Sequence, residues 1–278
     1  MKRIISIISI ACLLAFSNSP LFSLPARAAT CDNLVSWWSL DESSDGSGAV
    51  ARADSVVASA NDLTDVNTTP SATGKVSLGA NLEKDNGEHF TAADDDTLDI
   101  TGDISLSFWF NPESINIDHI VLNKEAYPTE RGYAFKFTTA NKLLFWASAA
   151  SGGTESSWRT TDAVIAAGNW YHFVVTVDIS VPSAVMYVNG SSVSLTTIDT
   201  SVTAIVANAA SLGIGNIAGG AVYSDGIFDE MALWSRVLTS DEVTTLYNSG
   251  NGVNYATACG GGAPAGGTKK RVPPIIFE

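Results

Sequence analysis

Gly168-Asn169-Trp170-Tyr171-His172-Phe173-Val174-Val175-Thr176-Val177-Asp178, followed at short range by Val185-Met186-Tyr187-Val188-Asn189-Gly190, decides the fold class of this 278-residue chain. Tyr171, Phe173, Val175 and Val177 recur with period two, the spacing of a strand with one face in a core. Asn189-Gly190 closes the second run, because both residues tolerate the positive φ that a tight hairpin requires. The same alternation extends on either side. Ile104-Ser105-Leu106-Ser107-Phe108-Trp109-Phe110 puts Ile104, Leu106, Phe108 and Phe110 on one face and Ser105, Ser107 and Trp109 on the other. Ala134 to Thr138 and Leu143 to Ala147 flank Thr139-Ala140-Asn141-Lys142 as a second hairpin, and Ser211–Gly215 and Ile227–Trp234 read as later strands. Loops rich in Gly, Ser, Thr and Asn join these runs, as in an all-β sandwich.

One helix interrupts the pattern. Thr239-Ser240-Asp241-Glu242 is a capping box, Leu238 and Val243 stand at staple positions, and Asn248-Ser249-Gly250 supplies the stop signal.

The ends of the chain differ in composition. Lys2 and Arg3, the apolar run Ile4–Phe16 and Ala26-Arg27-Ala28 form a secretory leader over residues 1–28. The apolar run is too short for a membrane span, so none is expected once the leader is removed. Cys12 would suit a lipoprotein signal poorly, because Ser9 stands where such signals carry Leu. Residues 260–278 begin as a Gly-rich linker and end in Lys269-Lys270-Arg271-Val272-Pro273-Pro274-Ile275-Ile276-Phe277-Glu278. This tail reads either as a flexible extension or as a stiffened apolar peptide that adds to a sheet edge.

Between them, the domain of residues 29–259 carries nine Lys and Arg against 28 Asp and Glu, a net charge of −19. Such a field repels phosphate backbones and argues against nucleic-acid binding. Export would leave Cys31 and Cys259, one at each end of the domain. In an oxidising compartment this pair reads as a disulfide, with two independent buried thiols as the alternative. The expected location is secreted, periplasmic or at the cell surface.

The order of these pieces resembles the laminin-G-like domains of the concanavalin A-like lectin/glucanase superfamily. The resemblance is carried by Val35-Ser36-Trp37-Trp38-Ser39-Leu40-Asp41-Glu42, which matches the family's opening aromatic strand ending in Asp-Glu, by Ala53-Asp54-Ser55 with Asn61-Asp62-Leu63, and by Gly168-Asn169-Trp170-Tyr171-His172 running to Asp178. Tyr187-Val188-Asn189-Gly190 and the closing Gly226-Ile227-Phe228-Asp229-Glu230 with Arg236–Val243 complete it. It covers roughly Leu34 to Tyr247 and implies a two-sheet antiparallel jelly-roll sandwich with one short C-terminal helix. Members of the family include endoglucanases, yet the E-x-D-x-x-E strand of the laminarinase branch is absent. Asp229 and Glu230 are adjacent and, on a regular strand, point to opposite faces. No G-x-S-x-G or H-E-x-x-H signature occurs, and His89, His119 and His172 show no metal-ligand spacing. A non-catalytic module that binds a glycan or an extracellular or surface protein is therefore expected.

The resemblance also implies a structural Ca²⁺ held by Asp54, Asn61 and Asp229; the alternative is that these side chains cap turns. For ligand contact the candidates are Trp109, on the serine face of its strand, Trp146 and Trp158, near polar loops, and the loop residues Tyr127, Arg131 and Tyr223.

Overall fold

The computed structural model describes residues 30–56, 61–126, 130–149, 154–217 and 220–259. The expected leader, the tail 260–278 and Tyr127 lie outside the described residues. Alternation resolves into two antiparallel sheets. The first contains β1 (Leu34–Trp38), β3 (Ser71–Thr73), β4 (Leu78–Leu82), β6 (Ile104–Pro112), β11 (Tyr171–Asp178), β12 (Ser183–Val188), β13 (Ser191–Val193) and β16 (Gly226–Trp234). Its order is β13-β12-β11-β6-β16-β4-β3, with β1 also paired to β16. The second contains β2 (Thr64–Val66), β5 (His89–Ala92), β7 (His119–Asn123), β8 (Tyr133–Phe137), β9 (Leu143–Ser148), β10 (Glu155–Thr160), β14 (Leu195–Thr200) and β15 (Leu212–Ile214). Its order is β14-β10-β9-β8-β7-β15-β5-β2.

The inward positions are those that the alternation marks. Phe108, Phe110, Phe137, Phe173 and Phe228 meet between the sheets, with Phe110 and Phe228 stacked at 4.4 Å between centroids. At about 25 cal/mol per Å² of apolar surface removed from water, this layer is the main stabilising term. The expected hairpins form: β11 pairs β12 through the Asn189-Gly190 turn, and β8 pairs β9 with Asn141 at φ 59°.

Two corrections apply at the ends of elements. The first strand stops at Trp38 rather than running to Glu42. Leu40 takes φ 60° while fully buried, and this bend lets Asp41 Oδ1 accept the Leu78 amide at 2.9 Å. Beyond α1 (Ser240–Tyr247), a second one-turn helix, α2 (Tyr255–Ala258), follows where the sequence suggests only one. Asn254 caps it, its side chain accepting the Thr257 amide. The capping box on α1 is present as expected, with Thr239 and Glu242 bonded reciprocally. Its C-cap is Asn248 at φ 49° rather than a glycine.

Cys31 and Cys259 form a disulfide, Cα to Cα 5.4 Å, tying the start of the domain to the end of α2. With it comes a second apolar cluster, in which Trp37, Ala232 and Trp234 on the outer side of the first sheet meet Leu238, Val243 and Leu246. The two helices therefore roof the outer side of the first sheet. No helix among the described residues is long and apolar enough to cross a membrane.

Candidate functional site

The roof settles the fate of Trp109. Its ring does face away from the sandwich core, but it is only 2% exposed. It packs on His172 at 5.0 Å and stacks on Tyr247 of α1 at 5.9 Å, with Lys75 Nζ 4.9 Å from its ring. Gly252 closes the remaining side: a Cβ there would sit 3.0 Å from Trp109 Nε1. Trp109 is a packing residue, not an exposed ligand contact. His172 beneath it shares a hydrogen bond of 2.9 Å with Ser107, and burial pushes its pKa down to about 3, so it stays neutral. Trp158 is likewise corrected. It lies opposite Phe145 on the inward side of the second sheet, stacked on it at 6.1 Å and 2% exposed.

Asp229 and Glu230 also depart from the regular-strand expectation. The register of β16 against β6 shifts between Asp229 and Ala232, and Glu230 takes φ 47°. This bulge turns both carboxyl groups to the roofed side. Asp229 Oδ2 accepts the Lys75 and Val76 amides at 2.6 and 2.7 Å, and Glu230 Oε2 accepts the Trp37 indole N–H at 2.5 Å. Asp229 Oδ1 and Glu230 Oε1 are buried without hydrogen-bond partners. Burial pushes Asp229 up to about 8 and Glu230 up to about 9; repulsion from Asp41 adds to both shifts, and Asp229 further raises Glu230. With 0% and 3% exposure, this acid pair has no opening to a sugar.

The expected Ca²⁺ ligands are not gathered around one point. Asp54 Oδ1 accepts the Trp37 and Val56 amides, both at 2.9 Å, and its Oδ2 accepts the Asn61 amide at 3.3 Å. Asn61 Nδ2 donates to Ser36 Oγ and Thr97 Oγ1, and its carbonyl accepts the Trp38 indole at 2.7 Å. Asp54 and Asn61 thus form a hydrogen-bonded turn, with their oxygens already engaged, whereas Asp229 contacts the Lys75–Val76 turn. Among the described residues no group of three or more His, Cys, Asp or Glu is placed to hold a metal ion. Each of the three expected ligands is thus engaged by the protein's own amides or hydroxyls.

On the outer side of the second sheet, by contrast, two expected residues do meet. Trp146 stands opposite Ala134 and Ser157, away from the core. Its indole N–H donates to Glu125 Oε2 at 3.1 Å, and Lys136 Nζ lies 6.0 Å from its ring. Arg131 approaches the same Glu125 oxygen at 3.6 Å and also pairs with Glu155. Burial raises the Glu125 carboxyl, opposed by the Trp146 hydrogen bond and by the charges of Arg131 and Lys136. Contrary to the expected exposed contact, Trp146 is buried, with 9% of its surface open, because Glu125, Arg131 and Lys136 pack around it.

Lys136 links this cluster to a neighbouring cleft. It pairs with Asp118 at 3.0 Å, and Asp118 lines a hollow of about 450 Å³ with Lys84, Asp85, Asn116, Ile117 and Thr139. Ala221, Val222 and Tyr223 form its apolar wall, and Tyr223 leans on His89 at 5.8 Å. Loops from both sheets build this cleft: the turn after β4, the β6–β7 loop, the β8–β9 turn and the segment before β16. Tyr223 is the expected residue that lines it. Glu125, Lys136, Asp118, Lys84 and Val222 were not singled out from sequence, because nothing in their spacing marks them.

An antiparallel two-sheet sandwich with a hairpin at Asn189-Gly190 and a closing helix defines a jelly-roll architecture. The model of the concanavalin A-like lectin/glucanases superfamily, in its laminin-G-like form, matches residues 84–244, more than half of the chain. The chain belongs to this family. No curated protein matches its sequence. Solved structures similar to it include the binding domain of Paraclostridial mosquitocidal protein 1 (17% identity, TM-score 0.61, 79% of this chain and 53% of that one). Another is domain 4 of AbnA, an extracellular GH43 arabinanase from Geobacillus stearothermophilus, in complex with arabinotriose (19%, 0.54, 77% and 97%). A third is botulinum neurotoxin type C, whose cell entry depends upon interaction with two ganglioside molecules (13%, 0.56, 80% and 52%). The chain thus spans about half of the two toxin structures and nearly all of the arabinanase domain. Likeness at these identities establishes the fold.

Proposed function

We propose that this protein is an exported, non-catalytic binding module that recognises a glycan on the outer face of its second sheet. The observation that carries this reading is the continuous tract from the Tyr223 cleft through Asp118 and Lys136 to Trp146, Glu125 and Arg131. It combines apolar walls with fixed donors and acceptors, the combination that orients a sugar ring. A catalytic role is opposed by the sealed position of Asp229 and Glu230, since a glycosidase needs two carboxyl groups facing each other across an accessible sugar. Similar domains found with arabinotriose or tied to gangliosides lend support by analogy of fold alone. The test is a broad glycan array read with the wild-type protein and Tyr223→Ala. Reproducible ligands weakened by the substitution support the reading, and silence from a folded protein overturns it.

A second reading, a surface adhesion subunit, is favoured by one feature. β14 is the edge strand of the second sheet, and Ile198 on it is 54% exposed. Such an edge is suited to pairing with a strand from a protein partner. Proline at position 198 would abolish that association and spare glycan binding.

A further inference from the structure

Charge is distributed unevenly over the domain. Residues 30–259 hold nine Lys and Arg against 28 Asp and Glu, yet residues 131–160, which build β8, β9 and β10, hold four of those cations and a single acid, Glu155. Two of the other five cations are sealed inside. Arg52 bonds the carbonyls of Glu42 and Thr69, and Lys124 is ringed by Asp94, Asp99 and the carbonyls of Asn208 and Ala210. Counting the acids that pair with them, Glu125, Glu155 and Asp118, the strip over β8–β10 sets four cations against three acids, a local near-balance on a protein whose overall field is strongly negative.

Its members are not equally committed. Arg131 is held by Glu125 and Glu155, and Lys142 Nζ donates to the Thr161 carbonyl. Lys136 pairs with Asp118 at 3.0 Å, both side chains mostly covered at 23% and 30% exposure. Arg159 makes no ion pair or side-chain hydrogen bond with the described residues, and its Nε is buried without a partner. Strand register places Lys136, Leu144 and Arg159 side by side in one row on the outer face. With strands about 4.8 Å apart, Lys136 and Arg159 rise roughly 10 Å from one another, with Leu144 between. Trp146 stands two residues along β9 from Leu144, on the same face, diagonal to both cations.

We propose that this face binds a sugar unit bearing a carboxylate, its ring against the Trp146 edge and Leu144 and its carboxylate between Arg159 and Lys136. The inference rests on the glycan-binding reading and narrows it to acidic sugars. A guanidinium offers parallel N–H donors that match a carboxylate, and that of Arg159 pairs with no acid among the described residues, unlike those of Arg131 and Arg236. A neutral sugar can accept hydrogen bonds from these groups but leaves the charge of Arg159 uncompensated. Long-range attraction cannot explain the choice, since a net charge of −19 repels anions at a distance; recognition must come from the local row.

The test compares four probes on the purified protein by titration calorimetry: oligogalacturonate, its methyl ester, a sialyl-oligosaccharide and a neutral gluco-oligosaccharide. The wild type is expected to prefer one of the acids over the neutral forms by at least about tenfold, and Arg159→Gln to erase that preference. Lys136→Ala should reduce it, with a cooperative melt showing that each variant folds. Equal binding of acid and ester, or a preference that survives both substitutions, overturns the acidic-sugar inference while leaving the glycan reading standing. Binding to none of these probes and to no array glycan overturns both.

Discussion

The two sheets carry outward tryptophans at equivalent kinds of position, and the two meet opposite fates. Trp109 on the first sheet is enclosed by His172, Tyr247 and Gly252 at 2% exposure, whereas Trp146 on the second is surrounded by the polar side chains Glu125, Arg131 and Lys136 and keeps 9% of its surface open. Alternation alone placed both rings outside the core. What separates them is the segment after β16, which folds back over the first sheet as α1 and α2 and is pinned there by Cys31–Cys259. An outward aromatic is a binding residue only where no other element of the chain covers it.

That contrast can be broken in graded steps. Trp109→Ala should remove a large buried ring at the roof and cost about 3–5 kcal/mol in urea unfolding, with glycan binding by the folded fraction unchanged. A loss below about 1 kcal/mol would mean that the roof is not packed on the sheet. Replacing both cysteines with serine should cost about 2–4 kcal/mol, because the bridge closes nearly the whole domain. Equal urea midpoints for the serine variant and the wild type would show that the roof holds without it.

A smaller effect is expected from the acid pair beneath the roof. Asp229 and Glu230 have folded pKa values raised to about 8 and about 9, above ordinary unfolded values near 4. Between those limits the folded state binds more protons than the unfolded state, so stability falls as pH rises from about 5 to about 9. The loss should be on the order of 1–3 kcal/mol in the presence of EDTA, and Asp229→Asn should flatten the curve. Stability that instead rises over this range would contradict the buried, uncompensated pair. Smallest of all, Trp146→Phe, which keeps an aromatic ring but loses the Glu125 hydrogen bond, should change stability by about 1 kcal/mol while weakening glycan binding at least tenfold. The reverse pattern, a large stability loss with binding intact, would place Trp146 with Trp109.

Much of the sandwich was legible because period-two alternation, the Asn189-Gly190 turn and the Thr239–Glu242 box are local signals. The second helix was not, since Tyr255–Ala258 is a single turn whose stability comes from Trp37 and the disulfide rather than from its own pattern. The bulge at Glu230 was equally hidden. A non-glycine residue at positive φ is set by two partner strands, β4 and β1, that diverge from β16 at that point. For the site, Arg131, Trp146 and Tyr223 were readable as loop or outward residues. Glu125 meets Trp146 across 21 residues and Lys136 meets Asp118 across 18, contacts that no local motif records. One cue did lie in the chain: four cations against one acid over residues 131–160.

Amide hydrogen exchange, measured with and without the strongest array ligand, tests the division between the two faces most directly. Bound ligand should slow exchange in β8, β9 and β10 and in residues 220–225, with α1, α2 and the strands beneath them unchanged. Protection confined to the helices or to β1, with β8–β10 unaffected, would contradict it.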